Sequence, residues 1–444
     1  MDGNASGSKR GREPEVFLYD GEESAEELWD RRDDITRVRI GPRVEEIPRG
    51  AFRDFTNLTE VEFDDEGALQ VIGEGAFVRC TSLRCMTLPP GVTKLSESAF
   101  KECYNLAELN LNDGLQTIGA DAFGYCENLK SVTLPLTVTR LGEYAFSNCH
   151  NLVELLLNEG LQCIGELAFL RCTSLRSVTI PSTVLELGER AFQECKNLAN
   201  VQISEGVQTI GDCAFGFCKA LRSVTLPSTV RRVGELAFYY CSNLAEVIFL
   251  GGEHFLNHDF LVRRLSDGEG ILKQDMIDVL TSDGRAFSFS PLNGVKLSIA
   301  WAVSERIACL PLEHRLSIED RIRKLPRLGI VSDKNVMAYF PLVRRDPDAD
   351  DDSDSEEEEE EEEWLDIKDA NNETAGSVYL ALQLIAFYEL KESSILIELA
   401  MWKSRIVGDR SRADCRVAIP GPAKSLIMEY CGFAGFLRPA VDCA

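Results

Sequence analysis

Apolar and polar positions repeat every 23 residues over about half of this chain. Phe77, Phe100, Phe123, Phe146, Phe169, Phe192, Phe215 and Phe238 keep that spacing, and Phe52 precedes them. Each follows an Ala, from Ala51 to Ala237. Three positions on stands a Cys, from Cys80 to Cys241, with Phe55 in its place in the first unit. Six positions on stands a Leu, from Leu58 to Leu244, and an alternating pair such as Val132/Leu134 or Val178/Ile180 follows. A further column, Ile72, Leu95, Ile118, Leu141, Ile164, Leu187, Ile210 and Val233, precedes a Gly in every unit but one, where Ser96 replaces it. In L-x-x-V-x-L the apolar side chains share one side of a short strand, because strand side chains alternate faces. The Ala-Phe…Cys…Leu spacing is helix-like and suits a short turn on the opposite wall. Gly is expected at a tight bend where a Cβ would be costly. One unit cannot bury its apolar side, so stacked units must share a core, which predicts a solenoid of about nine coils.

Coils alternate with a super-period of 46 residues. Even coils read [SA]-L-R-S-V-T-[IL]-P-S-T-V at 174–184 and 220–230, and Pro89, Pro135, Pro181 and Pro227 follow their strands. Odd coils carry N-D-G, N-E-G or S-E-G at 112–114, 158–160 and 204–206. Arg84, Lys130, Arg176 and Arg222 mark even coils, while Glu108, Glu154 and Glu246 mark odd ones, with Asn200 the exception. With rungs about 4.8 Å apart, opposite charges on neighbouring coils are expected to pair, at about 0–1 kcal/mol each.

The pattern L-x-x-I-G-x-x-A-F-x-x-C-x-x-L-x-x-V-x-L-P resembles the BspA-like leucine-rich repeats, and its alternating coils resemble the intracellular sets of algae and other protists. The resemblance covers residues 36–250. It implies an α/β repeat solenoid of the right-handed leucine-rich-repeat type and a role in protein recognition and adhesion. Pro48 for Gly and Phe55 for Cys mark the first coil as a cap. Residues 1–35 are expected to hold a disordered N-terminus and an N-terminal cap. Residues 251–345 should be a mixed region with helices at His254–Leu265, Ile271–Leu280 and Leu312–Leu325 and a strand at Val295–Ile299. Residues 346–363 are expected to be a disordered acidic tract. Residues 364–444 should be helical, with helices at Ser377–Leu390 and Ser393–Val407.

The formal charge of −26 owes 14 units to the stretch Asp346 to Glu363, so the remainder is only moderately acidic. Phosphate binding needs clustered Lys and Arg, so neither nucleic acid nor an anionic membrane is an expected partner; a basic protein is. Met1-Asp2-Gly3-Asn4 opens no apolar signal segment, and Val378–Tyr388 is about half of the ~20 residues a membrane span needs. These features predict an intracellular protein, cytoplasmic or nuclear. The 15 cysteines contain no C-x-x-C pair, so the column reads as buried thiols rather than a metal or disulfide device. His254 and His258 share a helical face but lack the Glu of H-E-x-x-H. No phosphate-cradling Gly loop, G-x-S-x-G or kinase signature occurs, so no catalytic, cofactor or metal site is expected.

The functional surface should be the solvent-facing strand positions. These are Glu60, Glu62, Cys85, Thr87, Glu108, Asn110, Ser131, Thr133, Glu154, Leu156, Ser177, Thr179, Asn200, Gln202, Ser223, Thr225, Glu246 and Ile248. The expected function is a scaffold that binds a polypeptide on this face. The alternative is a histone-binding or chaperone-like protein acting through the acidic tract, a layout that resembles the acidic leucine-rich nuclear phosphoproteins. Ser353 and Ser355 each have an acidic residue three places on, the substrate pattern of acidophilic kinases.

Overall fold

The computed structural model describes residues 16–64, 66–252, 272, 286–331, 335–345, 364–367 and 373–407. The N-terminal residues 1–15, the acidic tract with Ser353 and Ser355, the histidine pair 254/258 and the expected helices at 254–265 and 271–280 (residue 272 excepted) lie outside them.

The repeat builds a β-solenoid of about ten coils. Each coil has three sides, and the central coil shows why. Strand Ser131–Thr133 points Val132 inward, a second strand of two residues, Arg140–Leu141, points Leu141 inward, and a run of turns carries Ala145, Phe146 and Cys149. These side chains are at most 2% exposed. The two-residue strands, from Glu46–Ile47 to Arg232–Val233, form one parallel sheet of nine. The turn wall contains no helix, so the coils are all-β. Its Phe rings stack face to face, with centroids 5.0–5.6 Å apart and planes within 12° from Phe52 to Phe238. Tyr19 caps the stack edge-on at 5.2 Å. Backbone bonds tie the wall together: each Phe N–H donates to the Ala carbonyl of the next coil, as in Phe146 to Ala168 at 2.8 Å.

Two columns have different reasons from those expected. None of the Gly residues that follow the inner Ile/Leu column has a positive φ. A Cβ on Gly142 would instead lie 2.4 Å from Ala120 N and 2.5 Å from Gly119 C, so these glycines let adjacent coils approach. The Cys column does more than fill space. Each thiol donates to the Phe carbonyl of the preceding coil, as in Cys149 Sγ to Phe123 O at 3.4 Å.

The solenoid continues past its expected end. Ala286-Phe287 repeats the motif 49 residues after Phe238, one coil plus an insertion of 26. Phe287 extends the ring stack at 5.1 Å, and Ser290 Oγ donates to Phe238 O at 2.7 Å in place of the thiol. At the other end, helix α1 (Ala25–Asp30) is started by a capping box. Glu27 N–H donates to Ser24 Oγ at 3.3 Å, and Ser24 N–H donates to Glu27 Oε2 at 2.8 Å.

A second unit is built from Gly294–Ser298, Leu328–Ile330 and the strand Val336–Arg345 as far as Pro341, paired antiparallel. Its helices are α2 (Ser304–Ala308), α3 (Leu312–Ile322) and α4 (Glu373–Val407). The last is one 35-residue helix rather than the two expected. Lys391-Glu392 between them are helix formers with no Gly or Pro to stop propagation. Arg306 pairs with Glu389 in two hydrogen bonds at 2.5 and 2.9 Å, and His314 Nε2 lies 2.9 Å from Glu392, so α4 is held to α2 and α3. No helix among the described residues is long and apolar enough to cross a membrane.

Candidate polypeptide-binding face

The long strands of the coils, from Glu60–Phe63 to Glu246–Phe249, alternate inward apolar and outward polar residues. The outward set is the one expected above. Cys85, Thr87, Glu108, Asn110, Ser131, Thr133, Glu154, Leu156, Ser177, Thr179, Asn200, Gln202, Ser223 and Thr225 are exposed, whereas Glu60, Glu62, Glu246 and Ile248 are half-buried. Register places them in two rows, one rung apart: Ser131 beside Glu154, Thr133 beside Leu156, Ser177 beside Asn200, and Thr179 beside Gln202. Leu156, 61% exposed, is an apolar point in an otherwise polar surface.

The N-terminal end of the rows is already engaged. Strand Arg37–Ile40 pairs with Glu60–Phe63, and Arg37 Nε meets Glu60 Oε2 at 2.8 Å. Arg37 and Arg39 contact Glu62 at 2.8 and 2.5 Å. The hydrogen bond from Arg39, more than any other influence, holds the Glu62 carboxyl below its usual range. Among the outward rows, the part not held by Arg37 and Arg39 begins at Cys85.

The super-period is visible in the backbone. Strand pairing is full from each even coil to the next odd one, at Cys85–Thr87 with Glu108–Asn110, Ser131–Thr133 with Glu154–Leu156, Ser177–Ile180 with Asn200–Ile203, and Ser223–Leu226 with Glu246–Phe249. From odd to even it lapses or shrinks to one residue pair, Gln202 with Thr225. Proline accounts for this. Ser204 N–H donates to Ile180 O at 3.2 Å, and its equivalent one coil later is Pro227, which has no N–H to give.

At the turn that follows, Asn side chains reinforce the fully paired junctions and Thr side chains bridge the weakly paired ones. Asn158 Nδ2 donates to Pro135 O and Val138 O at 2.6 and 3.1 Å, and Asn112 does the same to Pro89 O and Val92 O. Thr183 Oγ1 donates to Leu161 O at 2.6 Å, and Thr229 Oγ1 to Val207 O at 2.7 Å. The alternation therefore rests on these bonds. The charge pairing expected between coils does not occur: among the described residues Arg84, Lys130 and Arg176 form no ion pair with Glu108 or Glu154. Their carbonyls instead accept the first N–H groups of the following strand, as Lys130 O does from Val153 and Glu154 at 2.9 and 3.3 Å.

Chemistry beyond binding finds few groups to use. Burial, above all other causes, pushes the thiols of Cys172 and Cys241 up, Cys241 to about 12. Among the described residues no three His, Cys, Asp or Glu side chains are grouped to hold a metal. The half-exposed positions the sequence did not single out are aromatic. Phe217, Tyr240 and Phe289 stack on the turn wall at 5.3 and 4.7 Å with Tyr239 edge-on to all three. Their spacing two positions after the column Phe was the available signal.

Stacked coils with parallel sheets, a buried ring column and an exposed strand face define a leucine-rich-repeat solenoid, a class that generally works through protein–protein interaction. The BspA type leucine-rich repeat region matches residues 26–153 and 116–245 in six copies, and the chain belongs to this family through those residues. The structure is similar to a leucine-rich cell surface protein from Faecalibacterium prausnitzii, at 24% identity over 48% of this chain and 73% of that one, TM-score 0.30. It is also similar to a leucine-rich repeat protein of T. pallidum, at 26% identity over 41% and 77%, TM-score 0.32. A third is from Bacteroides ovatus, at 23% identity over 53% and 81%, TM-score 0.31. No curated protein matches the sequence.

Proposed function

We propose that this protein is a scaffold whose strand face, from Cys85 to Glu246, binds a polypeptide partner, and that it acts by binding rather than by catalysis. One observation carries the reading: eight consecutive rungs present outward side chains in fixed register, nearly all polar, with exposed Leu156 near their centre. A rigid polar face with an apolar contact point can hold a chain by many small contacts without a pocket. A photoreactive residue placed at Ser131 or Thr179 should crosslink the partner in cell extract, and one at Thr209, on the two-residue strands, should not. Adducts formed only from Thr209 would overturn the assignment.

The partner is proposed to be a protein of basic character and the compartment a reducing one inside the cell. The twelve described cysteines are all free. Alkylation and intact mass on protein from its native cells test the second point. Thiols blocked by disulfides along the column would contradict it.

A further inference from the structure

We propose that the strand face reads an extended polypeptide with a three-residue period, carrying one acidic and one basic residue in each triplet. The inference deepens the reading above and rests on it. Its basis is that the face repeats by pairs of coils and not by single ones. The pairing of strands, the prolines and the Asn and Thr bonds all recur every 46 residues. So does the basic charge, with Arg84, Lys130, Arg176 and Arg222 exposed at the entrance to the even strands; Glu108 and Glu154 lie exposed on two of the odd strands, and Asn200 and the half-buried Glu246 hold the equivalent places on the other two. Each cation is locked beside its neighbour through the backbone, where the carbonyl of Arg84 takes Ala107 N–H and Glu108 N–H at 2.8 and 3.2 Å. Among the described residues the side chains of Arg84, Lys130 and Arg176 form no ion pair with Glu108 or Glu154, which leaves both signs to an incoming chain. Hydroxyls at Ser131, Ser177 and their Thr neighbours lie between them for hydrogen bonds to a peptide backbone.

Spacing selects the conformation. Two rungs of parallel sheet span about 9.6 Å. Three residues of polyproline II, one full turn, span about 9.3 Å; three residues of a strand span about 9.9 Å but bring the side chain to the opposite face. An α-helix returns a side chain to the same face after seven residues, about 10.5 Å. Across four coil pairs polyproline II drifts by about 1 Å against the face, while the helix drifts by nearly 3 Å. Only polyproline II keeps every third side chain on the face over that span, so that its charges meet Lys130 and Glu154 and their equivalents at Arg84 and Glu108. Each exposed contact is weak alone, and the repeat makes them additive within one ligand. A nucleic-acid backbone fails the same comparison, because its phosphates would meet a carboxylate on the odd rungs.

The test uses the full chain and two fluorescent peptides of identical composition at low salt, read by anisotropy. One is about five repeats of Pro-Lys-Glu, and the other has the same residues in shuffled order. The repeating peptide should bind at least about tenfold more tightly. That preference should vanish in the exposed-site variants Lys130→Glu and Glu154→Lys, whose thermal melts should match wild type. Equal affinity for the two peptides, or a preference that survives both variants, overturns the proposal. The crosslinks from Ser131 and Thr179 separate the two readings. Crosslinking with no preference for triplet order sinks the period and leaves the face as the binding surface, whereas absent crosslinks sink both.

Discussion

Phe146 and Phe169 are fully buried and stack on rings in the coils before and after them, so neither neighbour can collapse into a space left behind. Phe146→Ala or Phe169→Ala should therefore cost about 3–5 kcal/mol, measured by urea unfolding; wild-type stability in both would mean that the ring column is not core. Glycine gives a sharper contrast. Gly142→Ala places a methyl group against the backbone of the preceding coil and should lose about 1–3 kcal/mol or more. Gly376→Ala, on helix α4 with nothing near its Cβ, should gain roughly 0.5–1 kcal/mol. The thiols set a pH limit. Cys241 titrates at about 12 when folded against an ordinary 9.0, so its neutral form favours the folded chain. That contribution is complete below about pH 9 and is lost as pH rises toward about 12, because only the unfolded chain releases the proton in that window. The urea midpoint should fall from about pH 8 to about pH 10, and a rise would contradict the burial of the column.

At the scale of elements, the side-chain bonds that join an odd coil to the even coil before it carry a specific prediction. Asn158 is 6% exposed and bridges two carbonyls of the preceding coil. Asn158→Ala leaves both unsatisfied and should cost about 1–3 kcal/mol by denaturant unfolding; a neutral result would mean that the super-period has another cause. Much of this architecture was legible in the chain. Strict columns of Phe, Cys and Leu placed the inward residues, because a stacked core admits one residue type per position. The outward rows followed from strand alternation alone. What was not legible depended on coil-to-coil geometry. The two-residue strands are too short to leave a periodic signal. Arg79, Glu102, Tyr125, Asn148 and Arg171 sit at φ between 58° and 63°, the left-handed region, with no glycine to announce it. Each is held there by an N–H bond to the next coil, such as Tyr125 N to Ser147 O at 2.8 Å. The tenth coil hid behind the insertion after Phe249, although Ala286-Phe287 and Ser290 carry its pattern. The engagement of Glu60 and Glu62 by Arg37 and Arg39 was equally invisible, because only the structure puts those strands side by side.

For the whole molecule two surfaces compete for the partner, the strand face and the acidic tract Asp346 to Glu363. They differ in how they respond to salt. At about 0.15 M ionic strength the Debye length is about 8 Å, so long-range contacts to the carboxylates of the tract should weaken steeply as salt is added. Contacts around Leu156 bury apolar surface and should hold. The decisive measurement is the affinity of the crosslinked partner for three proteins, wild type, Leu156→Asp and a deletion of residues 346–363, between about 50 and about 500 mM salt. A binding strand face predicts at least about a tenfold loss for Leu156→Asp at every salt concentration and little change for the deletion. Full affinity in Leu156→Asp, together with salt-sensitive binding that disappears with the tract, would contradict it.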